Sequence, residues 1–288
     1  MLNIMLKYLF PLVILCLFPL VSKSQEKKVL NIIAIGAHPD DCDSKFGGTA
    51  IRLAQLGHNV KFASLCNGNK GHYKIGPTEL AQIRNGESIE AGKRFGIAEY
   101  EVLNHPDCEL VPDLEARRAV ITLIREWDAD IVISHRPNDY MSDHRYTGEL
   151  VQDAAYNVIV PHEVPLVPAL KHNPVFLYFQ DGFKKPTPFS PDIVIDITDV
   201  VEKKIYAMSA HKSQYFDWLP WTNGELDEVP EGEKQRHRWL LEKRGNSTGF
   251  NLNIESGKPK YREEFEICEY GKQLSKEELK QLFPMANQ

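Results

Sequence analysis

Cysteine is scarce in this 288-residue chain: there are five, and no two stand in a C-x-x-C metal box. A basic stripe is missing as well. Lys and Arg number 34 against 40 Asp and Glu, for a net charge of −6 and a pI of about 6.0. That balance argues against a nucleic-acid partner. Repeats and low-complexity tracts are absent. The one signal-like apolar run, Tyr8 to Phe18 after Lys7, is too short for a comfortable membrane span. With Ser22-Lys23-Ser24 behind it, it reads as a secretory signal peptide over residues 1–24, cleaved before Gln25. Leu15 ahead of Cys16 argues against lipidation, and an uncleaved anchor is the competing reading. The expected location is therefore secreted or periplasmic, with no stable span after cleavage. An oxidising compartment permits disulfides among Cys42, Cys66, Cys108 and Cys268, but their pairing is not readable. The remainder, residues 25–288, suits one domain with an insertion at about 217–250.

What is present is concentrated between Ile32 and Gly48. The apolar run Val29–Ile35 ends in Gly36-Ala37, and His38, Pro39, Asp40 and Asp41 follow at once. A short apolar run closed by glycine reads as a buried strand. Phe46 to Leu56 then has apolar residues at helical spacing. Strand, tight turn and helix open an α/β sheet, and such sheets bind ligands beyond the carboxyl ends of their strands. Imidazole nitrogen and carboxylate oxygen are ordinary zinc ligands, and Pro39 stiffens the turn. Two adjacent carboxylates do not easily face one metal, so one ligand and one base is the natural division. The competing reading makes His38 a turn residue and the aspartates helix caps.

A second polar segment, Ser134 to His144, follows the strand-like Asp130–Ile133 and contains Asn138-Asp139-Tyr140-Met141-Ser142-Asp143-His144. A-H-P-D-D after a first strand, with an H-x-D-H-like segment after a later one, resembles the LmbE-like, or PIG-L, zinc-dependent N-deacetylases. The resemblance spans about Leu30 to Tyr215. It implies zinc, or another divalent transition metal, on His38, Asp41 and His144, with Asp40 as the base. It implies that Asp143 orients an imidazole, His144 or a neighbour. The chain departs from the family at Met141, where relatives carry the first His of H-x-D-H. A thioether gives no proton and is a weak acceptor. His135, Tyr140 and His211 are the candidates to replace that imidazole; otherwise the metal and Asp40 suffice, or the protein binds without turnover. Cys42 stands where the family usually has Glu, and reads as a small buried thiol beside the site.

The rest of the chain alternates strand and helix. Strands are expected at Val60–Leu65, Tyr100–Leu103, Ile131–Ser134, Val175–Phe179 and Asp192–Ile197, and helices at Glu79–Phe95, Leu114–Trp127 and Val200–Ala210. Tyr146 and Thr147 are expected to open another helix, and Pro161–Pro174 is irregular. This order argues for a Rossmann-like, three-layer α/β sandwich with a mostly parallel central sheet. Arg84 and Glu87 are spaced to share a helix face; by resemblance Arg84 lies near the pocket, and a local ion pair is the alternative. Asp107 is a pocket residue by resemblance or a turn residue before Pro112. His72 is a substrate contact or a loop residue. His211, in H-x-S-Q, is a rim acid or oxyanion donor by resemblance, or a helix C-terminal cap. Trp218 and Trp221 in the insertion either offer indole faces to a sugar or pin their loop. Tyr261–Tyr270 is expected as a late edge strand, and Ser275 to Glu278 as a capping box opening a helix to Phe283. Asn246-Ser247-Thr248 is a sequon.

By that resemblance the expected activity is removal of an acetyl (acyl) group from the nitrogen of an amino sugar or glycoconjugate. The alternatives are a non-catalytic carbohydrate-binding homologue and an amidase acting on a non-sugar conjugate.

Overall fold

In the computed structural model residues 28–244 and 261–287 are described. The expected signal peptide and the sequon lie outside the described residues. The first strand, β1 (Asn31–Gly36), explains the layering. Its side chains alternate: Ile32 and Ala34 enter one core, Ile33 and Ile35 the other, and all four are fully buried. A strand buried on both faces needs apolar residues at every position, which is why this run is unbroken.

The chain continues through α1 (Asp41–Gln55), β2 (Asn59–Cys66), α2 (Pro77–Phe95), β3 (Glu99–His105), α3 (Leu114–Glu126), β4 (Ile131–Ser134), α4 (Ser142–Asn157) and β5 (Val175–Phe179). After β6 (Ile193–Asp196) and α5 (Val201–Met208) come a π-helical turn (Ser213–Trp218), α6 (Leu219–Asn223), a 3-10 turn (Leu226–Glu228) and α7 (Glu233–Arg244). β7 (Arg262–Gly271), α8 (Lys276–Leu282) and β8 (Ala286–Asn287) complete the described chain. The eight strands form one sheet in the order β3-β2-β1-β4-β5-β7-β6-β8. β1 to β5 pair in parallel. β7 runs antiparallel between β5 and β6, and β8 antiparallel to β6. α1, α2 and α5 cover one face and α3 and α4 the other, giving the expected three layers. Among the described residues no helix is long and apolar enough to cross a membrane.

The strand order places the site. From β1 the sheet grows one way to β2 and β3 and the other way to β4 and β5. The connections leaving β1 and β4 therefore diverge to opposite faces, opening a crevice at their carboxyl ends. Register is fixed there at both ends. Asp130 Oδ2 accepts the Asn31 N–H at 3.0 Å, and the Ser134 hydroxyl donates to the Ile35 carbonyl at 2.7 Å.

Three expectations need correction. α1 begins at Asp41 rather than near Phe46, and α4 at Ser142 rather than Tyr146. Both first turns are polar, so their apolar periodicity starts a turn late. Tyr261–Tyr270 contains no edge strand: β7 lies inside the sheet, with partners on both sides. Its partial alternation of apolar and charged residues suggested an edge, but Glu263 is 1% exposed and accepts the Gly48 and Thr49 N–H groups and the Lys204 ammonium.

Candidate metal and catalytic site

Gly36 lets the turn after β1 close. A Cβ there would stand 2.8 Å from the Asp41 Cβ, too near for any other residue. Asp41, the first residue of α1, folds its Oδ2 back onto the Ala37 and His38 N–H groups at 3.0 and 2.8 Å. Its Oδ1 is 3.5 Å from His144 Nε2. Burial opposes its ionisation, but His144 and His135 hold the carboxyl well below the usual carboxylate range. Gly148 does the same service on the other side. A Cβ there would come within 2.7 Å of the His135 carbonyl, so glycine lets α4 press against the exit of β4. His144 thereby reaches the crevice from the first turn of α4.

His38 Nδ1 and His144 Nε2 are 3.3 Å apart, and His38 Nδ1 is 3.7 Å from Asp41 Oδ2. Ligating atoms of the three residues all lie within 4.8 Å of one another. The far nitrogen of each imidazole is held by a carboxylate: His38 Nε2 by Asp143 at 3.0 Å, and His144 Nδ1 by Asp139 at 3.2 Å. Two His and one carboxylate, each imidazole oriented by an acid, is the donor set of a catalytic zinc site with a position left open. Electrostatics agree. Burial resists protonation of His38, yet Asp143 and Asp41 outweigh it and raise its pKa to about 10. The acids thus favour a cation here, and a divalent metal fits that field.

Asp143 therefore orients His38 and not His144; its Oδ2 also accepts the Cys108 N–H at 2.7 Å. Asp143→Asn is expected to weaken metal binding about 10–100-fold, the usual cost of losing such a partner. Competition against a chromophoric chelator checks this; unchanged affinity would remove Asp143 from the site.

Asp40 stands beside these groups in a backbone conformation that L residues rarely adopt, with φ at 124°. Such a residue persists only when its surroundings hold it. Its N–H donates to the Tyr100 hydroxyl at 3.0 Å, which donates to Asp43 Oδ2 at 2.7 Å. Arg84 Nη2 donates to the Pro39 carbonyl and to Asp40 Oδ1. Burial pushes the Asp40 carboxyl up to about 6, against the pull of Arg84. A carboxyl near neutrality can both take and return a proton.

Several sequence expectations change at this point. Arg84 is 2% exposed and grips Asp40, while Glu87 accepts from Ser213 instead. Arg84 is therefore not the helix-face partner of Glu87, and its guanidinium lies against Asp40. Asp107 is buried and clamps a loop, accepting the Gly68 and Lys70 N–H groups. His211 is not at a rim: it is 0% exposed, with Nε2 on Asp43 at 2.9 Å. Buried His135 stacks on His144 with ring centres 4.4 Å apart, and its Nε2 meets the Ala37 N–H at 3.2 Å. Tyr140 is 80% exposed, its ring centre 6.2 Å from that of His144. Met141 precedes α4 and donates its N–H to Asp139. Cys42 is buried with its thiol on the Ala34 carbonyl. Sequence reasoning missed Asp139, Asp43 and Tyr100. Asp139 lay within a motif already singled out, whereas only the fold brings Tyr100 to the turn after β1.

Residues 33–155 match the family model described as PIG-L, GlcNAc-PI de-N-acetylase. That segment runs from β1 into α4 and holds His38, Asp40, Asp41 and His144. The chain is similar to the diacetylchitobiose deacetylase of Thermococcus kodakarensis, 29% identical over 203 residues that cover 67% of this chain and 74% of the other. It is 24% identical to a probable N-acetyl-alpha-D-glucosaminyl L-malate deacetylase of Bacillus anthracis, over 66% of this chain and 83% of that one. In three dimensions it shares the fold of the N,N'-diacetylchitobiose deacetylase from Pyrococcus horikoshii, with a TM-score of 0.63, 24% identity, and coverage of 82% and 83%. The matching segment and the similar curated relatives support a PIG-L/LmbE-like family for this chain, and the solved deacetylase shares its fold.

Proposed function

We propose that this protein is a metal-dependent hydrolase that removes an acetyl group from the nitrogen of an amino sugar or glycoconjugate. The observation that carries the reading is the placement of two imidazoles and a carboxylate within 4.8 Å, next to a carboxyl pushed up to about 6. The relatives' names supply the substrate class: an N-acetylated sugar. His38, Asp41 and His144 are the groups that would hold zinc or a similar divalent ion. When bound there, such an ion supplies Lewis acidity and lowers the pKa of a water toward ~7.

The chain's own residues do the rest. Asp40 takes a proton from the attacking water as its oxygen bonds to the acyl carbon. Asp40 then delivers a proton to the nitrogen as the C–N bond breaks, leaving acetate and a free amine. Arg84 and Tyr100 keep Asp40 aimed. Tyr140, exposed beside His144, supplies the hydroxyl donor that Met141 cannot. In this reading the N-terminal segment is a signal peptide, and the mature protein works outside the cytoplasm.

Met141 favours a second reading, a carbohydrate-binding homologue without turnover. Acetate release from N-acetylglucosamine and N,N'-diacetylchitobiose, with and without chelator, separates the two. The expected result is release that chelator abolishes and added divalent metal restores. Binding without release at any metal concentration would leave only the second reading.

A further inference from the structure

We propose that Tyr73, Trp221 and Trp218 form a subsite for a second sugar ring, beside the ring that is deacetylated. This rests on the deacetylase reading for the identity of the sugar.

The three rings are stacked. Tyr73 and Trp221 have centres 5.2 Å apart and planes 7° apart; Trp221 and Trp218 are 5.3 Å and 21° apart. His72 extends the stack beneath Tyr73 at 4.9 Å and 8°. Two distant segments build it: the loop leaving β2 and the π-helical turn with α6. Both are anchored. His72 Nδ1 accepts the Lys74 and Ile75 N–H groups, and its Nε2 is 3.8 Å from Asp217. Asp107 clamps Gly68 and Lys70, and Glu87 holds Ser213 at the start of the π turn. Wide turns of this kind recur at functional sites.

The stack adjoins the reacting groups. A Cβ on Gly71 would meet Arg84 Nη1 at 3.2 Å and the Trp218 indole at 3.6 Å. Arg84 is the residue that grips Asp40. The platform thus begins one residue's breadth from the guanidinium behind the proposed base, at the carboxyl edge of the sheet.

Exposure separates a platform from a pin. Trp127 and Trp239 behave as pins: the first donates its indole N–H to the Ile32 carbonyl, and the second packs on Phe216. Trp221 keeps 46% of its surface exposed, although two rings lie against it. The neighbouring rings cover part of each face, and the ring surface left uncovered, rigid and aromatic, suits a ligand with flat C–H faces and polar edges; a pyranose ring is such a ligand. Nearby Asp217 and Lys74, the latter over the Tyr73 ring, offer polar partners to its hydroxyls.

The test uses the metal-loaded full chain with N-acetylglucosamine and N,N'-diacetylchitobiose as probes. Wild type is expected to prefer the disaccharide roughly tenfold in kcat/KM through a lower KM, the scale of one good aromatic contact. Trp221→Ala and Tyr73→Ala should each bring that ratio close to unity, and Trp221→Phe should keep it. Equal losses on both sugars in the Ala variants would mark the stack as a pin and overturn the proposal, as would an unchanged ratio. If wild type releases no acetate from either sugar, titration calorimetry with the disaccharide decides. Binding that Trp221→Ala weakens and Trp221→Phe preserves would uphold the subsite while the deacetylase reading falls; no binding to wild type would overturn the subsite.

Discussion

Asp40→Asn is expected to lower acetate release by ~10²–10⁴-fold, the range supplied by a positioned general acid–base group. The substitution keeps the shape of the side chain and leaves an amide oxygen to accept from Arg84, but it cannot take a proton. Metal content should be unchanged, because Asp40 is not among the three clustered ligands. Stability separates this reading from a structural one. In the metal-free protein burial of the Asp40 charge outweighs the attraction of Arg84, since the carboxyl is raised to about 6 and not lowered. The sign follows: a raised carboxylate pKa means that ionised Asp40 costs stability, and the cost is felt as pH rises from the unfolded pKa through about 6. A neutral isostere removes it, so metal-free Asp40→Asn should melt no lower than wild type at neutral pH. Lost activity with an undiminished Tm would mark a residue kept for chemistry at some expense to the fold. Retained activity would remove Asp40 from the proposed mechanism.

His144→Ala should have the second large effect, on metal binding itself. His144 Nε2 stands close to both other candidate ligands, at 3.3 Å from His38 Nδ1 and 3.5 Å from Asp41 Oδ1. Removing it leaves a two-ligand site, and the loss of affinity should exceed the ~100-fold that removal of a supporting residue costs. Acetate release should fall with metal occupancy and recover only in part at high metal concentration. The packing loss is smaller, one ring stacked on His135 at 4.4 Å. Normal metal affinity in this variant would point to a cluster without His144, such as His38, Cys66 and Asp143.

Much of this was legible in the sequence, for a physical reason. β1, β4 and β5 are buried on both faces and read as nearly continuous apolar runs, and β2 does so apart from Lys61 and Ser64. His38 and Asp41 are neighbours in sequence and fall at a strand end, where open α/β sheets bind ligands. What was hidden depends on long-range pairing. Arg84 was matched by helix spacing to Glu87, three residues on, whereas its carboxylate is Asp40, 44 residues away. Tyr261–Tyr270 was expected at an edge, yet its Glu263 is buried on Lys204, a partner that local sequence cannot show. The starts of α1 and α4 were obscured by the residues of greatest interest, since Asp41, Asp143 and His144 fill the first turns. Function there displaces the apolar pattern that announces a helix. His211 was placed at a rim by resemblance, and only the packing of α5 against α1 shows it buried on Asp43.

The most direct test is a cobalt or zinc titration of the metal-free full chain, read by absorption or by equilibrium dialysis, alongside His38→Ala, Asp41→Ala and His144→Ala. One tightly held ion per wild-type chain, weakened severely and alike by each replacement, is the predicted result. Tight binding that survives all three would mean that these side chains hold no common ion, and the hydrolytic mechanism would have no centre.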